Sequence, residues 1–246
     1  MNLCIDQGNT NTKIALFEDD ILFKSFTIEA AANNNAWDSL FTDYRISNTI
    51  ISSVKDIEPE LVNLLKNESS HFLLLSYDTP IPILNLYNTP ETLGKDRLAA
   101  VIGANALHPE NDILVIDAGT ALTFDFISKQ GEYAGGTIAP GMNMRFQALH
   151  TFTKKLPLVQ TEGEIPFLGL NSERAIRSGV INGMTFEIEG YINRLKIIYP
   201  KLLVFLTGGD CFFFESRLKS SIFVNQNLVL IGLNSIIKYN AKNNEI

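Results

Sequence analysis

Short apolar runs and alternating apolar and polar positions mark strands over 2–6, 12–17, 21–28 and 48–53. Apolar residues at helical spacing mark a helix near 36–44 and another over 58–67. Pro59 suits the first turn of the second helix, because its fixed φ is already helical. A strand over 71–76 and an apolar helix over 96–107 follow. The pattern then starts again with strands over 113–117, 121–127 and 132–138 and a helix entered through Pro140-Gly141. A long helical stretch, 172–198, ends at Pro200; strand 202–206, a Gly-Gly turn, a short helix, strand 221–224 and helix 228–240 complete the chain. Two successive runs of three strands, each followed by alternating helices and strands, predict a duplicated α/β fold of mixed sheets flanked by helices. The boundary falls at His108-Pro109-Glu110-Asn111, giving domains 1–110 and 111–246. The cleft between them, at the loop ends of the strands, is the expected ligand site.

Each half opens with the same local signal. Asp6-Gln7-Gly8-Asn9-Thr10-Asn11-Thr12-Lys13 follows the apolar Leu3-Cys4-Ile5, and Asp117-Ala118-Gly119-Thr120-Ala121-Leu122-Thr123 follows Ile113-Leu114-Val115-Ile116. Both are succeeded by another apolar run, so each reads as strand, tight turn, strand. Glycine at such a turn lets backbone N–H groups approach an anion with no Cβ in the way. The hydroxyls and Lys13 add donors, and an Asp at a strand end can hold Mg²⁺ directly or through water. Such loops are suited to nucleotide phosphates and point to phosphoryl transfer.

Composition narrows the classes. Of 246 residues, 46% are hydrophobic and 19% charged, which fits a well-packed globular protein. A net charge of −7 argues against a nucleic-acid-binding surface. No apolar run approaches the roughly 18 residues of a membrane span. Asp6 interrupts the apolar start too early for a signal peptide, so a cytoplasmic protein is expected. Cys4, within an apolar strand, reads as a buried free thiol, and neither the two cysteines, Cys4 and Cys211, nor His71, His108 and His150 have zinc-site spacing.

Four further segments carry possible chemistry. Gly94-Lys95-Asp96-Arg97 opens an apolar helix. There Asp96 is either an N-cap or a group that takes a proton from a hydroxyl, and Arg97 is either a surface charge or the holder of an anionic substrate group. Gly135-Gly136-Thr137-Ile138-Ala139-Pro140-Gly141 is either a plain strand-to-helix turn or a place where substrate meets backbone. Thr207-Gly208-Gly209 after a strand allows a flat ligand such as adenine against the main chain, or is simply a tight turn. Ser172, in Asn171-Ser172-Glu173-Arg174, is a helix cap, a substrate contact, or both.

In this order the motifs resemble type III pantothenate kinase, within the acetate-kinase, sugar-kinase, heat-shock protein and actin superfamily. The resemblance covers nearly the whole chain. It rests on Asp6-x-Gly8-Asn9-Thr10-x-x-Lys13, Gly94-x-Asp96-Arg97, Asp117-x-Gly119-Thr120-Ala121-x-Thr123, Gly135-Gly136-x-Ile138-x-Pro140-Gly141 and Thr207-Gly208-Gly209. The Gly-x-Asp-Arg element narrows a superfamily-wide Asp-x-Gly signal to this family.

The resemblance implies two duplicated ribonuclease H-like, actin-like ATPase domains. It implies ATP-dependent phosphorylation of pantothenate as the first step toward coenzyme A. ATP with Mg²⁺ would be held by Asp6, Gln7, Gly8, Asn9, Thr10, Asn11, Thr12 and Lys13, with Thr120 as a second contact and Asp6 touching Mg²⁺ through water. Tyr87, Gly94, Lys95, Asp96, Arg97 and Ser172 would form the pantothenate site, with Asp96 as proton acceptor. Asp117 would hold a monovalent cation, K⁺ or NH₄⁺. The family is homodimeric. This chain departs from it at Ser172, where Thr is usual, and at Gln7, where an aliphatic residue is common. Two other readings stay open: a kinase of another small hydroxylated acid, and a transcription accessory protein of the same family.

Overall fold

A computed structural model describes residues 1–8, 11–29 and 35–243. The chain divides into two compact units. The first comprises Met1–Glu110, Gln130–Ala134 and Asn227–Ile246; the second comprises Asn111–Lys129 and Gly135–Gln226.

In the first unit, β1 (Asn2–Gln7) is the middle of a five-stranded sheet. It pairs antiparallel with β2 (Asn11–Glu18), which pairs with β3 (Ile21–Glu29). On its other side it pairs parallel with β4 (Asn48–Ser53), which pairs with β5 (His71–Leu74). Successive side chains of a strand point to opposite faces. Accordingly Leu3 and Ile5 pack in a cluster with Ile14, Leu16, Ile51 and residues of α1 (Asn35–Asp43) and α2 (Pro59–Glu68). The even positions face the other way, where Asn2 Nδ2 donates to Asn234 Oδ1 at 2.8 Å on α7 (Leu228–Asn243). Burial on both faces explains why β1 reads as an unbroken apolar run rather than an alternation.

A two-residue strand, β6 (Leu84–Asn85), pairs parallel with the start of β9 (Glu132–Pro140). It lay below the resolution of the sequence pattern, which needs longer runs. The helix α3 (Lys95–Leu107) packs on α7. Gly103 and Gly232 make that crossing close: a Cβ on Gly232 would lie 1.8 Å from the Ala99 carbonyl oxygen, and one on Gly103 2.2 Å from that of Leu228. The C-terminal helix thus belongs to the first unit, whereas periodicity along the chain had run the second domain on to residue 246. An apolar face announces that a helix is covered, not by what.

The second unit repeats the plan. Its strands run β11 (Phe223–Val224), β10 (Leu203–Thr207), β7 (Ile113–Ala118), β8 (Ala121–Ile127), β9. β7 is parallel to β10 and antiparallel to β8. Leu114 and Ile116 pack in a cluster with Phe146 of α4 (Met142–Thr151), Ile181, Met184 and Ile188 of α5 (Ser172–Ile198) and Phe214 of α6 (Cys211–Glu215). Cys4 and Cys211 are buried and form no disulfide. No helix among the described residues is long and apolar enough to cross a membrane.

Candidate active site

The first turn leaves β1 at Asp6, whose Cα partners are Lys13 on β2 and Ser52 on β4. Gly8 N–H donates to the Asn11 carbonyl at 3.0 Å, and a Cβ on Gly8 would stand only 3.2 Å from that oxygen. Gln7 is tied down at the sheet end: Ser53 Oγ donates to Gln7 Oε1 at 2.8 Å, and Val54 N–H to the Gln7 carbonyl at 3.2 Å. These bonds hold Gln7, the first departure from the expected motif, at the sheet end. Asn9 and Thr10, both expected to meet phosphate, lie outside the described residues. Burial, and next the negative charge of Asp96, raise the Asp6 carboxyl to about 6, with Lys13 pulling the other way.

The same unit brings in the start of α3. Gly94 occupies its N-cap position, so Asp96 sits within the first turn rather than capping it. Asp96 Oδ1 accepts the Arg97 backbone N–H at 2.8 Å. A Cβ on Gly94 would lie 2.6 Å from that carboxylate oxygen, so glycine there makes room for it. Lys95 turns to the sheet and donates to the Ser53 carbonyl at 3.3 Å. Arg97 is not a surface charge: it is 7% exposed, Nη2 donates to Tyr133 Oη at 3.2 Å, and the guanidinium lies 5.8 Å from the Tyr87 ring centre. Tyr87 and Tyr133 stack at 6.1 Å and 22°. Thus Tyr87, Arg97, Asp96 and Asp6 come together in one unit. Tyr133 was missed because nothing in a nine-residue strand of mixed polarity sets one tyrosine apart.

In the second unit three glycines converge on the second turn. Gly119 N–H donates to the Ala121 carbonyl at 3.0 Å, and Gly141 N–H to the Thr120 carbonyl at 3.1 Å. Side chains are excluded there. A Cβ on Gly141 would lie 2.3 Å from the Gly119 and Thr120 carbonyl oxygens. One on Gly208, at φ +94°, would lie 2.4 Å from the Ala118 carbonyl and from Asp117 Oδ1. Asp210 N–H closes the cradle on the Ala118 carbonyl at 2.9 Å. Thr120 is exposed at the tip and Asp117 half-buried beneath it. Ser172 is exposed at the first residue of α5, where Asn171, not Ser172, is the cap and accepts the Arg174 N–H at 2.9 Å. Ser172 lines a cleft of about 680 Å³ with Arg145 and Ile176.

A family model for type III pantothenate kinase matches residues 2–194 of this chain. A type III pantothenate kinase of Phocaeicola vulgatus is 50% identical over 245 residues, covering 98% of this chain and 100% of that protein. The chain belongs to the type III pantothenate kinase family. Two solved structures share its architecture. One is a protein from Campylobacter jejuni assigned to the Baf family of transcriptional activators, with TM-score 0.64, 24% identity, and coverage of 98% of this chain and 99% of that one. The other is the activator of 2-hydroxyisocaproyl-CoA dehydratase from Clostridium difficile with bound ADPNP, with TM-score 0.54, 13% identity, and coverage of 100% and 97%. At such identities the likeness carries the fold alone, that of the actin-like ATPases and sugar kinases, and lends nothing to a regulatory role.

Membership of the pantothenate kinase family implies ATP and a divalent metal, and the residues of the first turn fit them. Among the described residues no three His, Cys, Asp or Glu side chains gather to hold a metal. Mg²⁺ does not require that: it keeps most of its waters and takes one or two carboxylates plus phosphate oxygens. Asp6 offers such a carboxylate at the phosphate-type turn, and the nearby negative charge of Asp96 makes a cation there more favourable. Ser52 Oγ, at the register position beside Asp6, is buried with no hydrogen-bond partner among the described residues.

Proposed function

We propose that this chain transfers the terminal phosphoryl group of ATP to the primary hydroxyl of pantothenate, the first step toward coenzyme A, with Asp96 as the proton acceptor. The observation that carries the assignment is the meeting of Asp96 and Arg97, in the first turn of α3, with Asp6 at the end of β1. Acceptor chemistry and a phosphate-type turn thereby share one unit.

Phosphoryl transfer passes through a loose transition state, so positioning and charge neutralisation carry most of the catalysis. Mg²⁺, when bound, neutralises charge on the phosphates. Asp96 aligns the acceptor hydroxyl and takes its proton late in the transfer. Its bond from the Arg97 N–H fixes the carboxylate without consuming both oxygens. Arg97 meets the pantothenate carboxylate through charge-assisted bonds, flanked by Tyr87. Gly94 clears space, and Lys95 anchors the segment to β4. We assign ATP to Asp6, Gln7, Gly8, Asn9, Thr10, Asn11, Thr12 and Lys13 and to Thr120. Asp117 is assigned a monovalent cation, K⁺ or NH₄⁺, and Ser172 keeps the hydroxyl that the family's Thr offers to substrate. The working form is a cytoplasmic homodimer. Support for the dimer comes from the apolar residues that the second unit leaves in solvent, Phe167, Leu168, Leu170 and Phe186.

The test is ATP-dependent phosphorylation of pantothenate by the purified protein with Mg²⁺, in K⁺ or NH₄⁺ against Na⁺, beside Asp96→Asn. Turnover that needs K⁺ or NH₄⁺ and collapses in the variant supports the whole reading. Equal rates in Na⁺ remove the cation role of Asp117 alone. No turnover in any salt by a folded protein removes pantothenate and directs the search to other hydroxylated acids.

A further inference from the structure

β9 is mostly solvent-facing, yet it sends one side chain fully inside: Tyr133 is 0% exposed, while the other positions from Glu132 to Pro140 are half-buried or exposed. A buried phenol needs a partner for its hydroxyl, and a buried guanidinium is rare without one. Here each meets the other, with Arg97 Nη2 donating to Tyr133 Oη at 3.2 Å. The surroundings hold this pair in register. Leu86 N–H donates to the Tyr133 carbonyl at 3.0 Å, Asn85 stands opposite Tyr133 in the β6–β9 pairing, and Asn85 Oδ1 accepts the Tyr87 N–H at 3.0 Å. The Tyr87 ring thereby stacks with Tyr133 and lies 5.8 Å from the Arg97 guanidinium. The pairing of the short strand β6 with β9 thus sets these two tyrosines side by side.

We propose that Tyr133 is the positioning residue for Arg97, and through it a determinant of specificity for acceptors that carry a carboxylate. This rests on the pantothenate reading above. An arginine stem has many rotamers, and a hydroxyl fixed by a strand pairing orients one nitrogen of the guanidinium fork while adding no charge of its own. Arg97 is adjacent to Asp96, so holding the guanidinium also sets the distance from the acceptor's carboxylate to the hydroxyl being phosphorylated. Tyr133 acts through Arg97 and touches neither phosphate nor the transferred proton.

Tyr133→Phe removes the hydroxyl and keeps the ring stack. A hydrogen bond to a charged group is worth about 10- to 100-fold in binding, so the KM for pantothenate should rise by about that factor. The KM for ATP and kcat should stay within about twofold. The KM for pantothenol, the analogue with an alcohol in place of the carboxylate, should not move, so preference for the acid narrows. In an Arg97→Ala background the same substitution should add nothing further. Unchanged pantothenate KM in Tyr133→Phe, with active wild type, overturns this assignment alone. So does a parallel rise for pantothenol, or additivity with Arg97→Ala, each of which marks a structural role. Failure of Tyr133→Phe to fold would also mark the hydroxyl as structural and overturn it. Wild-type protein with no pantothenate turnover overturns the parent reading, and this one with it.

Discussion

In the proposed reaction Asp6, at the phosphate-type turn, and Asp96, at the start of α3, are two carboxylates with different tasks. Asp96 is the proton acceptor of the proposed reaction, so Asp96→Asn, nearly the same shape, should lower kcat about 10²- to 10⁴-fold with little change in either KM. A variant that lost affinity and kept kcat would assign Asp96 to binding instead. Asp6 is held against its ordinary ionisation: an unfolded Asp releases its proton near 3.8, the folded one near 6. Between those values the unfolded chain is ionised while the folded chain keeps the proton. The stability linked to Asp6 is therefore complete below 3.8, falls as pH rises, and is lost above about 6. Asp6→Asn should accordingly be more stable than wild type at pH 8, by about 1–2 kcal/mol after solvent screening, and the gap should close toward pH 4. Denaturant melts at both values decide it; a gap that does not change with pH would remove charge as its cause. The same variant should lose activity, a stability gain at the expense of function. At this scale the sequence showed which residues carry charge but not their setting. Arg97 has the same letters whether exposed or buried, and only the fold shows it as a buried cation with a tyrosine partner on β9.

Elements were legible where the pattern was long and one-faced. β1, β2, α3, β7, β8 and α5 lie within a residue or two of where alternation and helical spacing put them. β6 was not, because two residues have no period, and it is the piece that sets Tyr87 beside Tyr133. The partner of α7 was not either: α7 packs on α3 through Gly103 and Gly232, a contact between residues more than a hundred positions apart that no local pattern encodes. The crossing supplies a contrast between glycines. Gly232→Ala would place a methyl 1.8 Å from a backbone oxygen, so the helices must separate. We expect a loss of more than about 2 kcal/mol, together with a raised pantothenate KM because Asp96 and Arg97 open α3. Gly190, exposed in mid-α5, has nothing within 4 Å of a Cβ, and Gly190→Ala should stabilise by up to about 1 kcal/mol. Thermal melts and steady-state kinetics on the two variants test both. If Gly232→Ala melted like wild type, close approach of α3 and α7 would not matter to either stability or site.

For the molecule as a whole, composition and the two repeated turns carried the duplicated α/β plan, and the motif order carried the family. The surface was beyond them, since apolar residues in a sequence are first read as core. In the second unit Phe167, Leu168 and Leu170 are 76%, 75% and 88% exposed ahead of α5, and Phe186 on α5 meets Phe167 edge to face at 6.4 Å. Isolated exposed apolar side chains are ordinary, but a group of them beside a cleft is the kind of surface through which proteins associate. If that protein is a second copy, light scattering should give twice the 27.4 kDa of one chain at micromolar concentration. Placing like charges on a self-complementary face should split it. Phe186→Glu with Leu170→Glu should therefore give a monomer of unchanged far-UV spectrum. Its activity separates two roles of the assembly. A monomer that keeps kcat and both KM values would show each chain's site complete in itself. A monomer with raised pantothenate KM and unchanged ATP KM would mean that the acceptor site draws on the partner, and Ser172, exposed at the start of α5 next to the same segment, is the residue to examine for that contribution. A wild-type protein that is active and monomeric at every concentration would overturn the dimer outright.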